Sequence, residues 1–258
     1  MTPRVAVVLV TRNSSAFLGA TLTSIDEQTR PADALIAVDD ASSDASVSML
    51  RDAGFDVHQA TSGSADVRTR IAHNFRQGLR IAETMSADIV VLGDHDDNWH
   101  RDRIAHQMEL LEGHPHVAMV ASDGFLIDEH GAAVPGTIRG TFPIPDDFTR
   151  WPRRRQIGYA LRHSLATGGA SALHLARFDS WDVPPGWLHD RWWSLRALRE
   201  DRFLVDETPV IDYRVSDTQQ VGLDASAQGS PAQWWLKKIG RAPATTRKAR
   251  DLAGLLRR

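Results

Sequence analysis

The sequence predicts an α/β fold with a mostly parallel central sheet and helices on both faces. Through the first half of the chain, short apolar runs rich in β-branched residues alternate with longer segments whose apolar residues recur every three or four positions. This alternation is typical of parallel sheets, because each connection between parallel strands needs a crossover, usually a helix. At 258 residues with 42% hydrophobic residues, the chain is long enough to bury one substantial core.

Five strands are predicted in the first half, each a short apolar run bounded by polar or turn residues. Four helices are predicted between and after them, and Ser or Asp near their starts favours N-caps. The strands are VAVVLV, ALIAVDD, DVHQA, DIVVLGD and HVAMVASDG, and the helices are SSAFLGATLTSIDEQ, DASVSMLRDAG, RTRIAHNFRQGLRIAETM and RDRIAHQMELLEGH.

The second half is predicted to be less regular. Residues 130–156 are rich in Gly, Pro and Arg and lack clear periodicity, which favours a mobile loop or flap. Residues 171–181 are predicted as helix or strand, residues 190–201 as a helix, and residues 202–215 as a final strand pair that completes the sheet.

Charge and composition narrow the function classes. A formal net charge of -3 and a pI near 6.4 give no general reason to expect nucleic-acid binding. The chain has no cysteine, so disulfides and thiolate metal sites are excluded and a cytoplasmic location is the default expectation. No stretch approaches the roughly 20 apolar residues of a membrane-spanning helix, and the apolar run at residues 5–10 is too short for a signal sequence.

Two clusters of carboxylates follow predicted strands, at the edge of a parallel sheet where ligands usually bind. Asp39 and Asp40 close the second strand, and Asp94, Asp96 and Asp97 follow the fourth. Carboxylates this close repel one another, and a hard divalent cation such as Mg²⁺ or Mn²⁺, which also binds phosphate oxygens, would relieve that repulsion. The alternative is a solvated acidic turn that caps the following helix.

Asp190 is a candidate general base. It lies near the start of a predicted helix among aromatic residues, in the sequence GWLHDRWW. Partial desolvation there would raise the basicity of its carboxylate, so that it could accept a proton from an attacking nucleophile. The simpler interpretation, an N-cap of the helix, stays open on the local sequence alone.

Four segments, taken in order, resemble the inverting family 2 glycosyltransferases of GT-A fold. VAVVLVTRNSSAFLGATLTSIDEQTRPADALIAVDDASSD is similar to the opening strand, first helix and Asp-Asp-Gly-Ser segment of that family, with Ala41 where glycine is usual. GDHDDNW resembles the Asp-x-Asp-Asp element, and ATGGASALHLARF resembles the acceptor-side segment. LHDRWWSLRA and VIDYRVSDTQQVG resemble the His-Asp-x-x-Trp and Tyr-Arg segments of the rhamnosyltransferase-like members.

The resemblance implies a division of the chain. Residues 1–222 would form a GT-A domain, with a nucleotide-sugar-binding half at 1–123 and an acceptor-binding half at 124–222. Residues 223–258 are predicted as a linker and a basic tail, which could lie on an anionic membrane that carries a lipid-linked acceptor. A basic disordered or core-docked terminus is the alternative for the tail.

The resemblance also implies roles for individual residues. Asp190 would be the catalytic base, and Asp96 or Asp97 would be the direct ligand of Mn²⁺ or Mg²⁺. Arg70, near the start of its helix, would face the phosphates of the donor. Contacts to the nucleotide sugar are implied for Thr11, Asn13, Asp39, Asp40, Arg70, Asp94 and Asp96, and contacts to the acceptor for His189, Trp187, Trp192 and Arg214.

The predicted function is an inverting, metal-dependent transfer of a sugar, rhamnose being one candidate, from a nucleoside diphosphate donor. The acceptor would be a carbohydrate or a lipid-linked saccharide in cell-wall or surface-polysaccharide synthesis, in the cytoplasm or on the inner face of the plasma membrane. Donors carrying dTDP, UDP or GDP all stay open, because His95 inside the acidic motif and the missing His after Tyr213-Arg214 depart from the family pattern.

Two alternatives to this function remain at the level of sequence. One is a catalytically silent carbohydrate- or nucleotide-binding protein of the same fold, although this chain retains Asp96, Asp97 and Asp190. The other is a nucleotidyltransferase, which fits less well because no Gly-rich, Lys-bearing phosphate loop follows the first strand.

Overall fold

A computed structural model describes residues 2–216 together with Asp251 and Gly254. The predicted boundary at residue 222 and nearly all of the predicted tail lie outside these residues. The described part of the chain contains one nine-stranded sheet. Its strands are β1 Val5–Thr11, β2 Ala34–Asp39, β3 Asp56–Gln59, β4 Ile89–Asp94, β5 Asn98–Trp99, β6 Met119–Ile127, β7 Ala133–Thr137, β8 Ser171–His174 and β9 Phe203–Arg214.

The four helices predicted in the first half are confirmed, with ends that shift by a few residues. The longest of them, α3, begins after Asp66, whose carboxylate accepts a hydrogen bond from the backbone N of Thr69 at 2.8 Å and so caps the helix. No helix among the described residues is long and apolar enough to cross a membrane. The helices are α1 Ser15–Asp26, α2 Ser46–Asp52, α3 Val67–Thr84, α4 Arg103–Gly113, α5 Ile138–Thr141, α6 Arg153–Ala160 and α7 His189–Arg199.

The sheet is parallel where the first strands lie. β3, β2, β1 and β4 are neighbours in that order and run parallel, with Val8 of β1 between Ile36 and Leu92. β8 joins antiparallel between β4 and β6, and β9 runs parallel to β6. The carboxyl ends of β2, β1 and β4 therefore lie side by side at one end of the sheet.

Both faces of the sheet are covered by helices, as predicted. Val7 of β1 belongs to a core that it shares with Ile104 of α4, whereas the adjacent Val8 belongs to a core shared with Leu79 of α3 and Leu195 of α7. Side chains alternate between the two faces of a strand, so an uninterrupted apolar run supplies both cores at once. Full burial of each such side chain contributes about 1.5–3 kcal/mol.

Residues 130–156 do not form the irregular flap that their composition predicts. The chain folds there into β7, which pairs with β6, then α5, a 3₁₀ turn and the first turn of α6. Ile138 and Phe148 are both buried, each 2% exposed. The prediction was wrong because isolated apolar residues, too irregularly spaced to show a period, anchor the segment to the core.

The predicted final strand pair is a single strand. β9 runs without a turn from Phe203 to Arg214, and shifts in its register with β6 near Asp123 accommodate the DETP stretch that resembles a turn in the sequence. The second half of β9 pairs with β5, which places Asp212 opposite Asn98. This pairing brings Arg214 next to the acidic residues that follow β4.

Candidate active site

The first polar group of the candidate site lies where β1 and β2 end. Oγ1 of Thr11 donates to Oδ1 of Asp39 at 3.2 Å, and both residues are buried. Oδ2 of Asp39 accepts a hydrogen bond from the backbone N of Ser42 at 3.0 Å. The carboxylate of Asp39 therefore ties the two strand ends to the loop that follows β2.

Asp40, the next residue, is shared between two arginines. Nε of Arg70 lies 2.7 Å from Oδ2 of Asp40, and Nη1 of Arg12 lies 3.1 Å from the same oxygen. Arg70 belongs to the first turn of α3, where the helix dipole also favours negative charge. The ion pair holds the guanidinium of Arg70 at the N-terminus of α3, and this arrangement is suited to binding an anion.

The loops that follow β1 and β2 are locked to each other. Oδ1 of Asn13 accepts a hydrogen bond from the backbone N of Ser43 at 2.8 Å, and the backbone N of Asn13 donates to Oγ of Ser42 at 2.8 Å. Asn13 and Ala41 both adopt left-handed conformations, with φ of 47° and 57°. A left-handed conformation costs an alanine about 1–2 kcal/mol, which is why glycine suits position 41.

Asp94, Asp96 and Asp97 follow β4 and are called the acidic loop below. Burial raises the pKa of Asp94 to about 7, and the charge of Asp96 adds to the effect. Burial, followed by the charges of Asp96 and Asp94, also raises the pKa of Asp97 well above its ordinary value of 3.8. Negative charge in the acidic loop is therefore poorly compensated, and a cation would be stabilised there.

Strand β9 holds the acidic loop in place. Oδ1 of Asp97 accepts a hydrogen bond from the backbone N of Arg214 at 3.0 Å, and Nε of Arg214 donates to the carbonyl O of Asp96 at 2.8 Å. Asp97 is fully buried, and its Oδ2 has no hydrogen-bond partner among the described residues. One oxygen of this carboxylate thus fixes the loop, and the other remains available.

A buried guanidinium lies close to the acidic loop. Arg103, the first residue of α4, is fully buried, lies 3.7 Å above the ring of Trp99 and donates from Nη2 to the carbonyl O of Leu92 at 2.6 Å. Burial lowers the pKa of Arg103 to about 9, while the charges of Asp97 and Asp94 oppose that change. Arg103 is therefore charged at neutral pH and partly offsets the acidic loop.

A turn of glycines separates the acidic loop from Asp190. This turn, Gly168–Ala170, precedes β8. A Cβ atom on Gly169 would lie 2.6 Å from Oδ2 of Asp97 and 2.8 Å from Oδ2 of Asp94, and one on Gly168 would lie 2.5 Å from Nε2 of His189. Only glycine permits so close an approach of the backbone to these side chains.

Asp190 lies on the α7 side of this turn. Its Oδ2 accepts a hydrogen bond from the backbone N of Gly168 at 3.2 Å, and its Oδ1 accepts one from the backbone N of Arg191 at 2.6 Å. Desolvation raises the pKa of Asp190 to about 6, although these two hydrogen bonds oppose the change. The charge of Asp190 contributes in turn to the raised pKa of Asp94, so the base and the acidic loop are electrostatically coupled.

The order of these residues along the chain has a counterpart among known proteins. The sequence pattern described as glycosyl transferase family 2 matches residues 6–199, most of the chain. The chain belongs to glycosyl transferase family 2. A comparison of this chain with curated proteins finds no significant match.

Solved structures of other glycosyltransferases share the fold. S. aureus TarS 1-349 in complex with UDP is 17% identical with a TM-score of 0.57, and the match covers 83% of this chain and 61% of that one. Glucosyl-3-phosphoglycerate synthase from Mycobacterium tuberculosis in complex with Mn²⁺, UDP and glucosyl-3-phosphoglycerate is 17% identical with a TM-score of 0.56, over 94% and 82% of the two chains. The mannosyltransferase PcManGT from Pyrobaculum calidifontis in complex with GDP-Man and Mn²⁺ is 20% identical with a TM-score of 0.55, over 84% and 59%.

These likenesses confirm the predicted GT-A fold. At such low identity these likenesses show the fold and say nothing about the substrates, and this chain spans only 61% of the TarS structure. The roles of individual residues therefore depend on the geometry of this chain.

Three side chains predicted to contact the acceptor are core residues in this glycosyltransferase. Trp187 and Trp192 are 4% and 7% exposed, and their rings pack against each other with centroids 5.3 Å apart. His189 stacks on Phe75 with ring centroids 3.9 Å apart, and burial lowers its pKa to about 3. Their burial argues against contacts with an acceptor. Aromatic residues at helical spacing are more often used for packing.

Arg214, the fourth residue predicted to contact the acceptor, supports the acidic loop instead. It is 4% exposed, and its Nη1 donates to the carbonyl oxygens of Asp128 and Glu129 at 2.9 Å and 3.1 Å. The guanidinium of Arg214 therefore donates hydrogen bonds to the backbone carbonyls of Asp96, Asp128 and Glu129. The sequence suggested that Arg214 contacts the acceptor only through the Tyr-Arg resemblance. The pairing of β5 with β9 explains why Arg214 lies at the acidic loop.

The acidic loop fits a divalent cation that arrives together with a nucleotide. Among the described residues, no group of three or more side chains could hold a metal ion by itself. The buried, unpaired Oδ2 of Asp97 and the raised pKa values of Asp94 and Asp97 are nevertheless features that a hard cation would relieve. Mg²⁺ in nucleotide sites commonly uses one or two carboxylates and takes its remaining ligands from phosphates and water.

Sequence reasoning missed several residues that shape this site. Gly168 and Gly169 entered only as part of a resembling segment, although adjacent glycines before a strand are themselves a signal of close backbone approach. Arg103 gave no signal, because a basic residue in the first turn of an exposed helix would look the same. Arg191 was passed over because its neighbours in the sequence are the base and two tryptophans.

Proposed function

We propose that this protein is an inverting, metal-dependent glycosyltransferase that moves a sugar from a nucleoside diphosphate to a hydroxyl of a carbohydrate acceptor. The observation that carries the proposal is the position of Asp190, which is bonded to the N–H of Gly168 while the adjacent Gly169 lies against Asp94 and Asp97. One short turn therefore links a basic carboxylate with an acidic loop suited to a cation and a diphosphate. A single displacement at an anomeric carbon needs both parts.

The nucleoside of the donor would bind at the ends of β1 and β2. The strand register sets Thr11 opposite Asp39 and Val10 opposite Asp94, so a ligand that lies across these ends would extend from Asp39 to the acidic loop. Thr11, Asn13, Asp39 and Asp40 would surround the base and ribose, and Arg70 would face the phosphates. UDP, GDP and dTDP donors are all compatible, with rhamnose as the sugar suggested by the rhamnosyltransferase-like motifs.

Mn²⁺ or Mg²⁺ would be held by Asp96 or Asp97 and would neutralise charge that develops on the departing diphosphate. Two solved neighbours contain Mn²⁺. Asp97 has one oxygen engaged by the backbone of Arg214 and one without a partner among the described residues, which favours it as a ligand. Asp94 would contact the ribose.

Asp190 would accept the proton of the acceptor hydroxyl as the hydroxyl oxygen attacks the anomeric carbon. The attack comes from the face opposite the leaving nucleotide, so the configuration inverts and no covalent intermediate with the enzyme is needed. A pKa of about 6 leaves the carboxylate mostly ionised at neutral pH and more basic than an ordinary aspartate.

The acceptor is proposed to be a carbohydrate or a lipid-linked saccharide used in cell-wall or surface-polysaccharide synthesis. This proposal extends the motif resemblance. The basic segment at residues 223–258, which lies outside the described residues apart from Asp251 and Gly254, would bring a cytoplasmic enzyme to the inner face of the plasma membrane.

Thermal unfolding with UDP, dTDP, GDP and ADP, each with and without Mn²⁺, tests the donor side of the proposal. One nucleotide is expected to raise the melting temperature only when Mn²⁺ is present, since a ligand at about 100 times its Kd adds about 2.7 kcal/mol of stability. Asp97→Asn should lose the metal-dependent part, and Asp52→Asn at the exposed end of α2 should retain it. Equal shifts with and without Mn²⁺ would contradict metal dependence, and no shift with any nucleotide would contradict the donor assignment.

A further inference from the structure

A group of basic side chains lies beside Asp190 and has no part in the proposed function. It consists of Arg68 in the first turn of α3, His163 just after α6, and Arg191 in the first turn of α7, and is called the Arg191 cluster below. These residues come from three elements that are far apart in the sequence. Their meeting point is next to the proposed base.

Hydrogen bonds hold these three elements together. The backbone N of Gly186, shortly before α7, donates to Oγ1 of Thr69 in the first turn of α3 at 2.9 Å. Nη2 of Arg191 donates to the carbonyl O of Leu161 at the end of α6 at 2.6 Å. The first turns of α3 and α7 and the end of α6 therefore form one corner of the molecule.

Arg191 is the central member of the cluster. It is partly buried, its guanidinium carbon lies 5.8 Å from the centre of the Trp187 ring, and its backbone N is bonded to the carboxylate of Asp190. Its Nε is buried and has no hydrogen-bond partner among the described residues. A buried donor of this kind costs stability unless a ligand or water accepts from it.

Arg68 supplies a second charge from an exposed position. No ion pair joins it to a carboxylate in the part of the chain that the structure describes, whereas Arg70, two residues later, is paired with Asp40. The two arginines at this helix terminus are thus used differently. Arg70 is paired with Asp40, whereas the charge of Arg68 acts on Arg191.

The charges of Arg68 and Arg191 repel each other, and the charge of Arg191 also disfavours protonation of His163. Next to burial, the charge of Arg191 lowers the pKa of His163, and the charge of Arg68 helps to lower the pKa of Arg191. Asp190 acts on Arg191 in the opposite direction. One carboxylate faces more than one positive charge, so the corner has an excess of positive charge that an anion would neutralise.

We infer that the Arg191 cluster binds an anionic group, a phosphate or a carboxylate, carried by the acceptor. This inference rests on the proposed function, because it assumes that the acceptor hydroxyl lies at Asp190. Guanidinium groups bind phosphate and carboxylate through N–H donors, and Nε of Arg191 is a buried donor without a hydrogen-bond partner among the described residues. The acceptor class is therefore a phosphorylated or carboxylated polyol or saccharide.

Calorimetric titration of the full-length protein, with its donor nucleotide and Mn²⁺ at saturation, tests the inference with three small probes. Glycerol 3-phosphate, glycerate and glycerol share a polyol and differ in the anionic group. Glycerol 3-phosphate or glycerate is expected to bind, and glycerol is not; the stronger of the two anions identifies the group. Arg68→Gln and Arg191→Gln should each weaken that binding by about tenfold or more, whereas Arg80→Gln, exposed on the same helix, should leave it unchanged.

Arg68→Gln decides the outcome, because Arg191→Gln also removes a hydrogen bond to Leu161. Equal affinity for the three probes, or unchanged anion binding in Arg68→Gln, would overturn the inference. Weaker nucleotide binding together with unchanged anion binding would assign the cluster to the donor and would overturn it as well. Nucleotide binding by the unaltered protein is measured in a separate titration. Failure of the proposed function would appear as an absence of nucleotide binding in that titration. The anion titration could then still be run on the protein without nucleotide.

Discussion

The backbone N–H of Gly168 donates to the Oδ2 of Asp190 at 3.2 Å, so the proposed base is held by the same turn that contacts the acidic loop. A base and a diphosphate site must keep a fixed separation for a displacement reaction, because small errors in position reduce the rate strongly. In this chain two consecutive glycines lie between Asp190 and the acidic loop. Their lack of side chains is therefore part of the site.

Gly169→Ala is expected to weaken Mn²⁺-dependent nucleotide binding. The added Cβ would lie 2.6 Å from Oδ2 of Asp97 and 2.8 Å from Oδ2 of Asp94, so the acidic loop or the turn must move. Overpacking of this kind destabilises the fold by about 1–3 kcal/mol. Nucleotide titrations with and without Mn²⁺, together with urea unfolding, measure the two effects.

Gly158→Ala is the matched control for this variant. Gly158 lies within α6, and a Cβ there would meet no atom within 4 Å. Alanine is a better helix former than glycine by about 1 kcal/mol, so the control should be as stable as the unaltered protein or slightly more stable. Identical nucleotide binding in both variants would show that the contact between the turn and the acidic loop has no role in binding.

Asp190→Asn is expected to lower turnover by about 10²-fold or more while nucleotide binding is retained. The amide oxygen can still accept one of the two hydrogen bonds from the backbone N of Gly168 and of Arg191, but the amide nitrogen cannot accept the other, and the amide cannot take a proton. Consumption of the donor sugar and nucleotide affinity should be measured on the same preparation. Full turnover in Asp190→Asn would remove Asp190 from its role as base.

The rate of the unaltered enzyme is expected to fall with decreasing pH below about 6. Desolvation raises the pKa of Asp190 to about 6, and only the deprotonated carboxylate can act as a base. The rate should drop about tenfold per pH unit below that value and level off above it. A profile of kcat/KM from about pH 5 to pH 8 checks this, and the fall centred near pH 6 should be absent from Asp190→Asn, where any remaining pH dependence reports the acidic loop.

Much of the nucleotide half was predictable from the sequence, because its strands carry local signals. An apolar run such as the one that ends at Thr11 is buried on both faces, and polar residues at its end mark the edge of the sheet. Asp39, Asp94 and Asp97 were placed at that edge for this reason; the structure places Asp39 and Asp94 there, and Asp97 lies beside Asp94 against Gly169. Desolvation of Asp190 was likewise predicted from its aromatic neighbours, and its raised pKa agrees.

The acceptor half was predicted less well, because contacts between distant segments determine it. The position of Arg214 depends on the two-residue strand β5, which is too short to recognise in a sequence. The burial of Trp187 and Trp192 depends on how α7 packs against other elements, and helical spacing alone does not say which ring faces inward. The sequence therefore predicted the α7 helix of this half correctly, but it did not predict that Trp187 and Trp192 are both buried.

Asp94→Asn is expected to stabilise the metal-free protein at pH 8 and to have a smaller stabilising effect near pH 5. Asp94 has an ordinary pKa of 3.8 and a folded-state pKa of about 7, so its contribution to stability is present below pH 3.8 and is lost as the pH rises through 7. Removing the charge should add about 2 kcal/mol at high pH, after allowance for solvent at its partly exposed side chain.

The difference between Asp94→Asn and the unaltered protein is the quantity to measure. Buried histidines such as His189, whose pKa is lowered to about 3, change the stability of both proteins in the opposite direction with pH and cancel in the difference. Urea unfolding at about pH 5 and pH 8 gives that difference directly. A difference independent of pH would mean that Asp94 is already ionised in the folded protein at pH 5.

Arg103→Lys is expected to destabilise the fold by about 2–4 kcal/mol, although it conserves the charge. Lysine cannot both stack on Trp99 and donate to the carbonyl O of Leu92 in the geometry of a guanidinium, and an ammonium is more costly to bury than the delocalised charge of arginine. Arg101→Lys is the control, because Arg101 is exposed two residues earlier. Urea unfolding should separate the two variants clearly, and equal stabilities would show that a point charge near the acidic loop suffices and that the guanidinium contacts contribute nothing.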